Sequence, residues 1–478
     1  MQSRRDQVQA HSFMVGRLSA ALVAGDPDGL ESPHRRLAVG SLVGVLLAAL
    51  LVAGFAVFGL IRPGGATSWR EPGVVIVEKE TGTRFFLVQG RLRPALNYAS
   101  ILLLSPETPK VVRVSAASLR GVPHGQPIGI PGAPDAIPPA GDGVNLVWNS
   151  CAQVARDQSG SALTVTTLAI GRPSALNGAP APAGRAVVVR VAGGDTFLLR
   201  QGRRHRVVDS WIPRVLRQDT PIVVDTRWLD NFPLGPDVAA VAVPRRGERG
   251  PRVDGRETRI GELFADPVEA GTGRMFVLQA DGLSPLSPFA ETLLAGDPAT
   301  AALYQGRPVA PSTLSPAALS QLGQSRIAAM ADGLPKAVPL PAQTAPGRTW
   351  CVQHGARDRD ARLVAAHGLG DRDLVTDTAS VTRTSSTAAA VWVEPGRGGL
   401  FRVGRPDQAP GADLFLVTDA GLKFPVADGD AAARLGHPAT TAVAVPRTFL
   451  ELLPTGPTLS RSAAGGDRTT PRPGSTQF

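Results

Sequence analysis

Residues 37–61 read LAVGSLVGVLLAALLVAGFAVFGLI, 25 consecutive residues without a charge. As a helix the stretch spans roughly 37 Å, enough to cross a hydrocarbon core of ~30 Å with some tilt. Helices buried in soluble cores seldom run this long without a polar face. The stretch is longer and starts later than the apolar region of a signal peptide, and no A-x-A-like cleavage site follows before Trp69. It reads as an uncleaved membrane anchor, with a short piece of chain before it and a long piece after it.

Arg35 and Arg36 abut the anchor on its N-terminal side, with Arg4, Arg5 and Arg17 further out. Arg62, Arg70 and Lys79 follow it. The excess of basic residues before the anchor orients the N-terminus to the cytoplasm. Only two cysteines exist, Cys151 and Cys351, and both lie in the long segment. Two lone cysteines in an exported region are expected to pair.

A length of 478 residues suggests about three folded units. The 53 glycines and 43 prolines favour many turns and short elements over long bundles. The net charge is +10, with four lysines among the 50 basic residues. Aromatic residues make up 5% and no Lys/Arg run reaches five, so no nucleic-acid partner is expected. Anionic lipid beside Arg35 and Arg36 is the plainer partner for the charge.

Residues 4–24 read as a helix that Ser3 can cap. Val8, Met14, Val15, Leu18 and Leu22 recur near helical spacing. Met14, Val15, Leu18 and Leu22 are the candidate docking residues of this amphipathic cytoplasmic helix, the alternative being the membrane surface. Beyond the anchor, one pattern returns four times. Phe85–Gly90 (FFLVQG) resembles Phe197–Gly202, Met275–Gly282 and Leu414–Gly421. An L-x-x-x-P-x-G signature follows three of these, at Leu119/Pro123/Gly125, Leu229/Pro233/Gly235 and Leu450/Pro454/Gly456. Its leucine lies 34, 32 and 36 residues after Phe85, Phe197 and Leu414, and the coupled spacing predicts four copies of a β-β-α-β unit starting near 74, 186, 271 and 410. The uneven intervals exclude a simple array. Between the copies, Trp148 precedes Cys151 and Trp350 precedes Cys351, each followed by an apolar, threonine-bearing stretch, 163–170 and 387–394. The expected fold is therefore α+β. It has a cytoplasmic segment (1–36), the anchor (37–61), repeats at 66–140, 186–245, 246–335 and 406–459, and a β-rich central domain of pseudo-twofold symmetry from 141–185 and 336–405. A disordered tail (460–478) is expected after it.

The chemistry looked for is absent from the sequence. There is no G-x-x-x-x-G-K-[ST], G-x-S-x-G or H-E-x-x-H. The seven histidines are scattered, and Asp358, Asp360, Asp371 and Asp373 read as a solvated Arg/Asp loop, not a metal site. No catalytic, cofactor or metal-ligating residue is assigned.

RRDQVQAHSFMVGRLSAAL before the anchor, TSWREPGVVIVEKETGTRF and LNYASILLL after it, VPHGQPIGIPGAPDAIP, the Trp-flanked cysteines and the closing LLPTGPTLSRSAA together resemble EccB. That family is the membrane core component of the actinobacterial type VII (ESX) secretion system. The resemblance covers essentially the whole chain. It implies a cytoplasmic helix, one transmembrane helix and an extracytoplasmic domain of four repeats around a disulfide-linked centre. The implied partners are the FtsK/SpoIIIE-type motor EccC, EccD, EccE in some systems, and further copies of EccB. Family members carry an ATPase label that no motif here supports. Set against a structural subunit, the competing expectations are an extracytoplasmic ATPase or other hydrolase and a cell-wall binding module.

Overall fold

The computed structural model describes residues 4–25, 33–61, 67–105, 108–156, 159–171, 178–182, 184–218, 220–266, 274–329, 333–343, 348–355, 361–369, 381–404 and 413–466. They fall into two compact units, one from 1–94 and 110–126, the other from 95–109 and 127–478. The fold is mixed α and β.

The first unit holds α1 (Arg4–Ala24), α2 (Pro33–Ile61), β1 (Val75–Glu78), β2 (Arg84–Val88), β3 (Arg91–Pro94), and, beyond α3 (Tyr98–Leu104), β4 (Val111–Val114) and α4 (Ala116–Leu119). Gln89 and Gly90 have φ of 51° and 73°, which makes the tight turn between β2 and β3. The sheet runs β3-β2-β1-β4, antiparallel except for the parallel β1–β4 pair. Ile76, Phe85, Leu92 and Val114 share one face and pack with Trp69 and Leu119. The helix α3 was expected inside the first repeat but belongs to the second unit, where Ala99 and Leu103 join the cluster of Leu416, Phe424 and Ala464. Asn97 caps it by accepting the Ser100 N–H at 3.0 Å.

The second unit continues with β5 (Val147–Arg156), β6 (Ala162–Ile170), β7 (Ala179–Pro180), β8 (Arg185–Val191), β9 (Thr196–Arg200), β10 (Arg203–Val207), α5 (Ile212–Val215), β11 (Ile222–Val224) and α6 (Thr226–Leu229). Next come β12 (Leu263–Ala265), β13 (Met275–Gln279), β14 (Gly282–Leu286), α7 (Pro288–Gly296), α8 (Pro298–Ala301), β15 (Ser312–Thr313) and α9 (Pro316–Leu322). Last are β16 (Leu340–Pro341), β17 (Arg348–Gly355), β18 (Arg362–His367), β19 (Ala390–Val393), β20 (Gly399–Val403), β21 (Leu414–Val417), β22 (Lys423–Val426), α10 (Gly429–Arg434), β23 (Val443–Val445), α11 (Arg447–Glu451) and α12 (Arg461–Gly465). Three sheets run β10-β9-β8-β11, β14-β13-β12-β15 and β22-β21-β20-β23, with β16 added to β8 in the first of them. A six-stranded sheet runs β19-β6-β5-β17-β18-β7.

Several expectations are corrected here. The expected β-β-α-β unit is one strand short, because the chain after each hairpin turn forms a strand of its own. The third and fourth units start earlier than 271 and 410, since β12 and β20 are cut off from their hairpins by 267–273 and 405–412, outside the described residues. The stretch taken for a solvated loop includes β18, whose Val364 is buried against Cys351; Asp358, Asp360, Asp371 and Asp373 lie outside the described residues. Residues 460–466, expected in the disordered tail, carry α12, which is capped by Ser460 and buries Ala464; 467–478 lie outside the described residues.

The L-x-x-x-P-x-G signature ties the end of its segment to the third strand. Its leucines, Leu119, Leu229 and Leu450, are buried. The Pro and Gly then embrace one residue of the third strand. Leu92 donates to Pro123 O and accepts from Gly125, both at 2.9 Å; Arg204 does so with Pro233 (3.0 Å) and Gly235 (2.8 Å); Lys423 with Pro454 (3.0 Å) and Gly456 (2.9 Å). The third copy lacks the signature and makes the same pair, from Leu283 to Gly323 O and from Ser325 to Leu283 O, both at 2.9 Å. The glycines are dictated by close approach: a Cβ on Gly235 would collide with the His205 ring, one on Gly456 with the Phe424 ring, and one on Gly125 would sit 3.0 Å from Arg93 Cγ. In the β14 sheet Ser325 stands at the position of these glycines and makes the same bond to Leu283.

Gly456→Ala is therefore expected to lower stability by about 1–3 kcal/mol through overpacking, read as a fall in the Tm of the full chain in detergent. An unchanged Tm would dispose of the steric reason for this glycine.

Candidate functional site: the membrane anchor and the assembly elements

The apolar stretch of α2, Leu37–Gly59, is long enough to span a bilayer and is exposed along its length. Arg35 and Arg36 fall in its first turn, where only the backbone is described. An apolar helix with neither a polar face nor cover from the rest of the chain satisfies its backbone internally, as lipid requires.

The helix α1 forms over the expected residues; Ser3 lies outside the described residues. Met14, Val15, Leu18 and Leu22 are all exposed. At about 100° per residue they share with Val8 an arc of roughly 120°, but Gln7 and His11 interrupt that arc and Phe13 lies opposite it. The amphipathic pattern is therefore weaker than the spacing suggested. The covered side is the one sequence reasoning passed over: Ala20 is buried, Gly16 and Ser19 are half-buried, and α1 touches α2. The small residues Gly16, Ser19 and Ala20 on that side were the available signal.

Beyond the anchor the central feature is the Cys151–Cys351 disulfide, which joins directly opposed residues of antiparallel β5 and β17. Trp148 and Trp350 were expected to flank it. The alternation of a strand places them on the opposite face instead. Both belong to the main core, where Trp148 meets Phe401 and Phe449 at 5.1 and 6.3 Å between ring centres. The Trp228 indole N–H, on α6, donates to Ser150 O at 3.0 Å and ties the second sheet to the central one.

The buried titratable groups serve packing. His205 donates from Nδ1 to Pro236 O at 2.8 Å, and burial, reinforced by Arg200 and Arg203, lowers its pKa despite that bond. Burial likewise lowers His437, which donates from Nε2 to Pro138 O at 2.9 Å. Lys423 on β22 is 9% exposed and donates to Leu450 O at 2.6 Å. Burial brings its pKa down to about 8, with Glu451 opposing and Arg447 assisting. Among the described residues no three His, Cys, Asp or Glu side chains gather as a metal site. A cavity of about 530 Å³ is lined by residues of α3 and α10. Its Arg434 is committed to Asp430 and Ser105 O.

Among the described residues, one helix is long and apolar enough to span a membrane, and the second unit is a β-rich body with a disulfide at its centre, the make-up of a membrane-anchored protein. The family described as "Type VII secretion system ESX-1, transport TM domain B" matches residues 1–471, and the chain belongs to this EccB family. It is 28% identical over 485 residues to the ESX-5 secretion system ATPase EccB5 of Mycobacterium tuberculosis (strain ATCC 25618 / H37Rv), covering 97% of this chain and 93% of the relative. The fold is similar to a chain of the intact ESX-5 inner membrane complex, a composite C3 structure, with TM-score 0.63, 25% identity, and coverage of 100% of this chain and 98% of that one. It is also similar to a chain of the periplasmic assembly from the ESX-5 inner membrane complex, with TM-score 0.64, 26% identity, and coverage of 84% and 97%.

Lys423 makes stability depend on alkaline pH. Its folded pKa of about 8 lies below the ordinary 10.5, so between those values the unfolded chain binds more protons. Stability then rises with pH across that window, by up to about 3 kcal/mol, and is lowest below it. Denaturant midpoints of the full chain in detergent should climb through this range, and Lys423→Met should flatten the climb. A native profile already flat would contradict the assignment.

Proposed function

We infer that the chain is a structural membrane subunit of the type VII (ESX) secretion machinery, assembling its channel complex and forming the extracytoplasmic part. The observation that carries this is the family match over residues 1–471, on a chain whose one long apolar helix is left uncovered. In this reading the N-terminus lies in the cytoplasm and residues from 66 outside; the excess of Arg before the anchor and the paired cysteines, which suit an oxidising compartment, support it.

In this reading the sheets of order 3-2-1-4 are four copies of one unit, supported by the common embrace of the third strand and by the match of small and large residues within it. The second unit then has a centre of approximate twofold symmetry at Cys151–Cys351, where β5 with β6 and β17 with β18 are the two hairpins. The outer strands depart from that symmetry, since β19 runs parallel to β6 and β7 antiparallel to β18. The partners are EccC, EccD and EccE and further copies of this chain, the last supported by the C3 complex of the similar structure. Met14, Val15, Leu18 and Leu22 dock the cytoplasmic helix onto these subunits. The ATPase in the relative's name has no counterpart in a phosphate-cradling motif of this sequence.

A reporter fused after residue 75 should be active outside the cytoplasm and one fused before residue 30 inside; the reverse pattern would overturn the orientation. Replacing Met14, Leu18 and Leu22 together by Asp buries unpaired charge in the docking contact. Complex assembly and secretion should fail while the protein remains inserted and its disulfide forms. Secretion that persists would leave α1 a membrane-surface tether, and ATP hydrolysis by the purified chain would favour the enzyme reading.

A further inference from the structure

The strands β5 and β6 outrun the rest of their sheet. β17 accompanies β5 only as far as the Trp350–Ala152 pair, and β19 accompanies β6 only from Ala390–Thr167. The β5–β6 pairing itself continues to Arg156–Ala162. Residues 153–156 and 162–165 thus form a two-stranded ribbon with, among the described residues, no strand along either outer edge. Val154 is 67% exposed and Leu163 40%. A ribbon of two strands is marginal in water, and exposed edges ordinarily carry charge, proline or a bulge against unwanted pairing. β6 reads ALTVTTLAI and has neither charge nor proline. Beside it lies β11, the edge of its own sheet, with Ile222 and Val223 also exposed.

We propose that the outer edge of β6 at residues 162–165 is a docking strand for the same strand of a second copy of this chain, antiparallel across a twofold axis. The edge is complementary to itself. Centred on Leu163, the pairing sets Leu163 against its own copy and Ala162 against Thr164, apolar and β-branched partners with no like charges. The outer edge of β5 carries Arg156 at its end and is the poorer candidate. Main-chain hydrogen bonds supply the affinity, and an isologous contact closes as a pair. The proposal rests on the reading that the chain assembles with further copies of itself and adds the surface used.

The two native cysteines are bonded to each other, so one introduced cysteine is the only free thiol. Leu163→Cys and Thr164→Cys, each in the full chain in its native membrane, are treated with a short bis-maleimide. An adduct of twice the chain mass is expected at both positions and not at Val208→Cys, which is exposed after β10. Leu163→Lys placed in the Thr164→Cys chain should abolish the adduct, with Cys151 and Cys351 still unlabelled as proof that the sheet has formed. A complex of full mass without the adduct overturns the docking strand alone, as does an adduct with a different protein. A chain that is recovered only as a monomer overturns the assembly reading beneath it.

Discussion

The pairing of β5 with β17 is the contact on which the second unit depends. It joins strands whose cysteines are 200 residues apart. Closing a loop of that length costs the unfolded chain about 5 kcal/mol in the chain-entropy account, and the covalent bond removes that cost from folding. One face of the paired strands carries the disulfide. The other supplies Trp148, Trp350 and Val352 to the core that also contains Trp228, Phe401 and Phe449. Residues from the central, second and fourth sheets therefore share one apolar interior, and each long excursion of the chain is anchored where it leaves and returns.

Within each smaller sheet the decisive constraint is steric. The segment after the last helix must come close enough for two main-chain bonds to one residue of the third strand. The side chain next to that residue then faces the segment. The His205 and Phe424 rings leave room only for glycine, and Arg93 crowds Gly125; Ser325 makes the same main-chain bond to Leu283. Geometry is kept while identity changes: the β14 sheet makes the same two hydrogen bonds without the motif.

The anchor obeys a different economy. A bilayer demands internal hydrogen bonding and apolar side chains, and composition over 23 residues is enough to meet both. Which end faces the cytoplasm is a matter of charge on either side, not of packing. The helix α1 touches α2, and its Ala20 is buried.

The anchor and the paired strands were legible in the sequence because each follows from a local rule: apolar length, and a pattern that returns with a coupled spacing. The bonded partner of Cys151 was legible because only one other cysteine exists. The absence of nucleotide and metal motifs was equally plain. Tertiary structure alone decided that α3 packs with the elements of the fourth sheet, that β18 rises from an Arg/Asp-rich stretch, and that β12 and β20 stand apart from their hairpins. It also decided why the signature glycines are glycines. In each of these cases the determining contact lies far away in the chain, and a short strand or a missing Cβ carries no periodic signal until the residue it faces is in place.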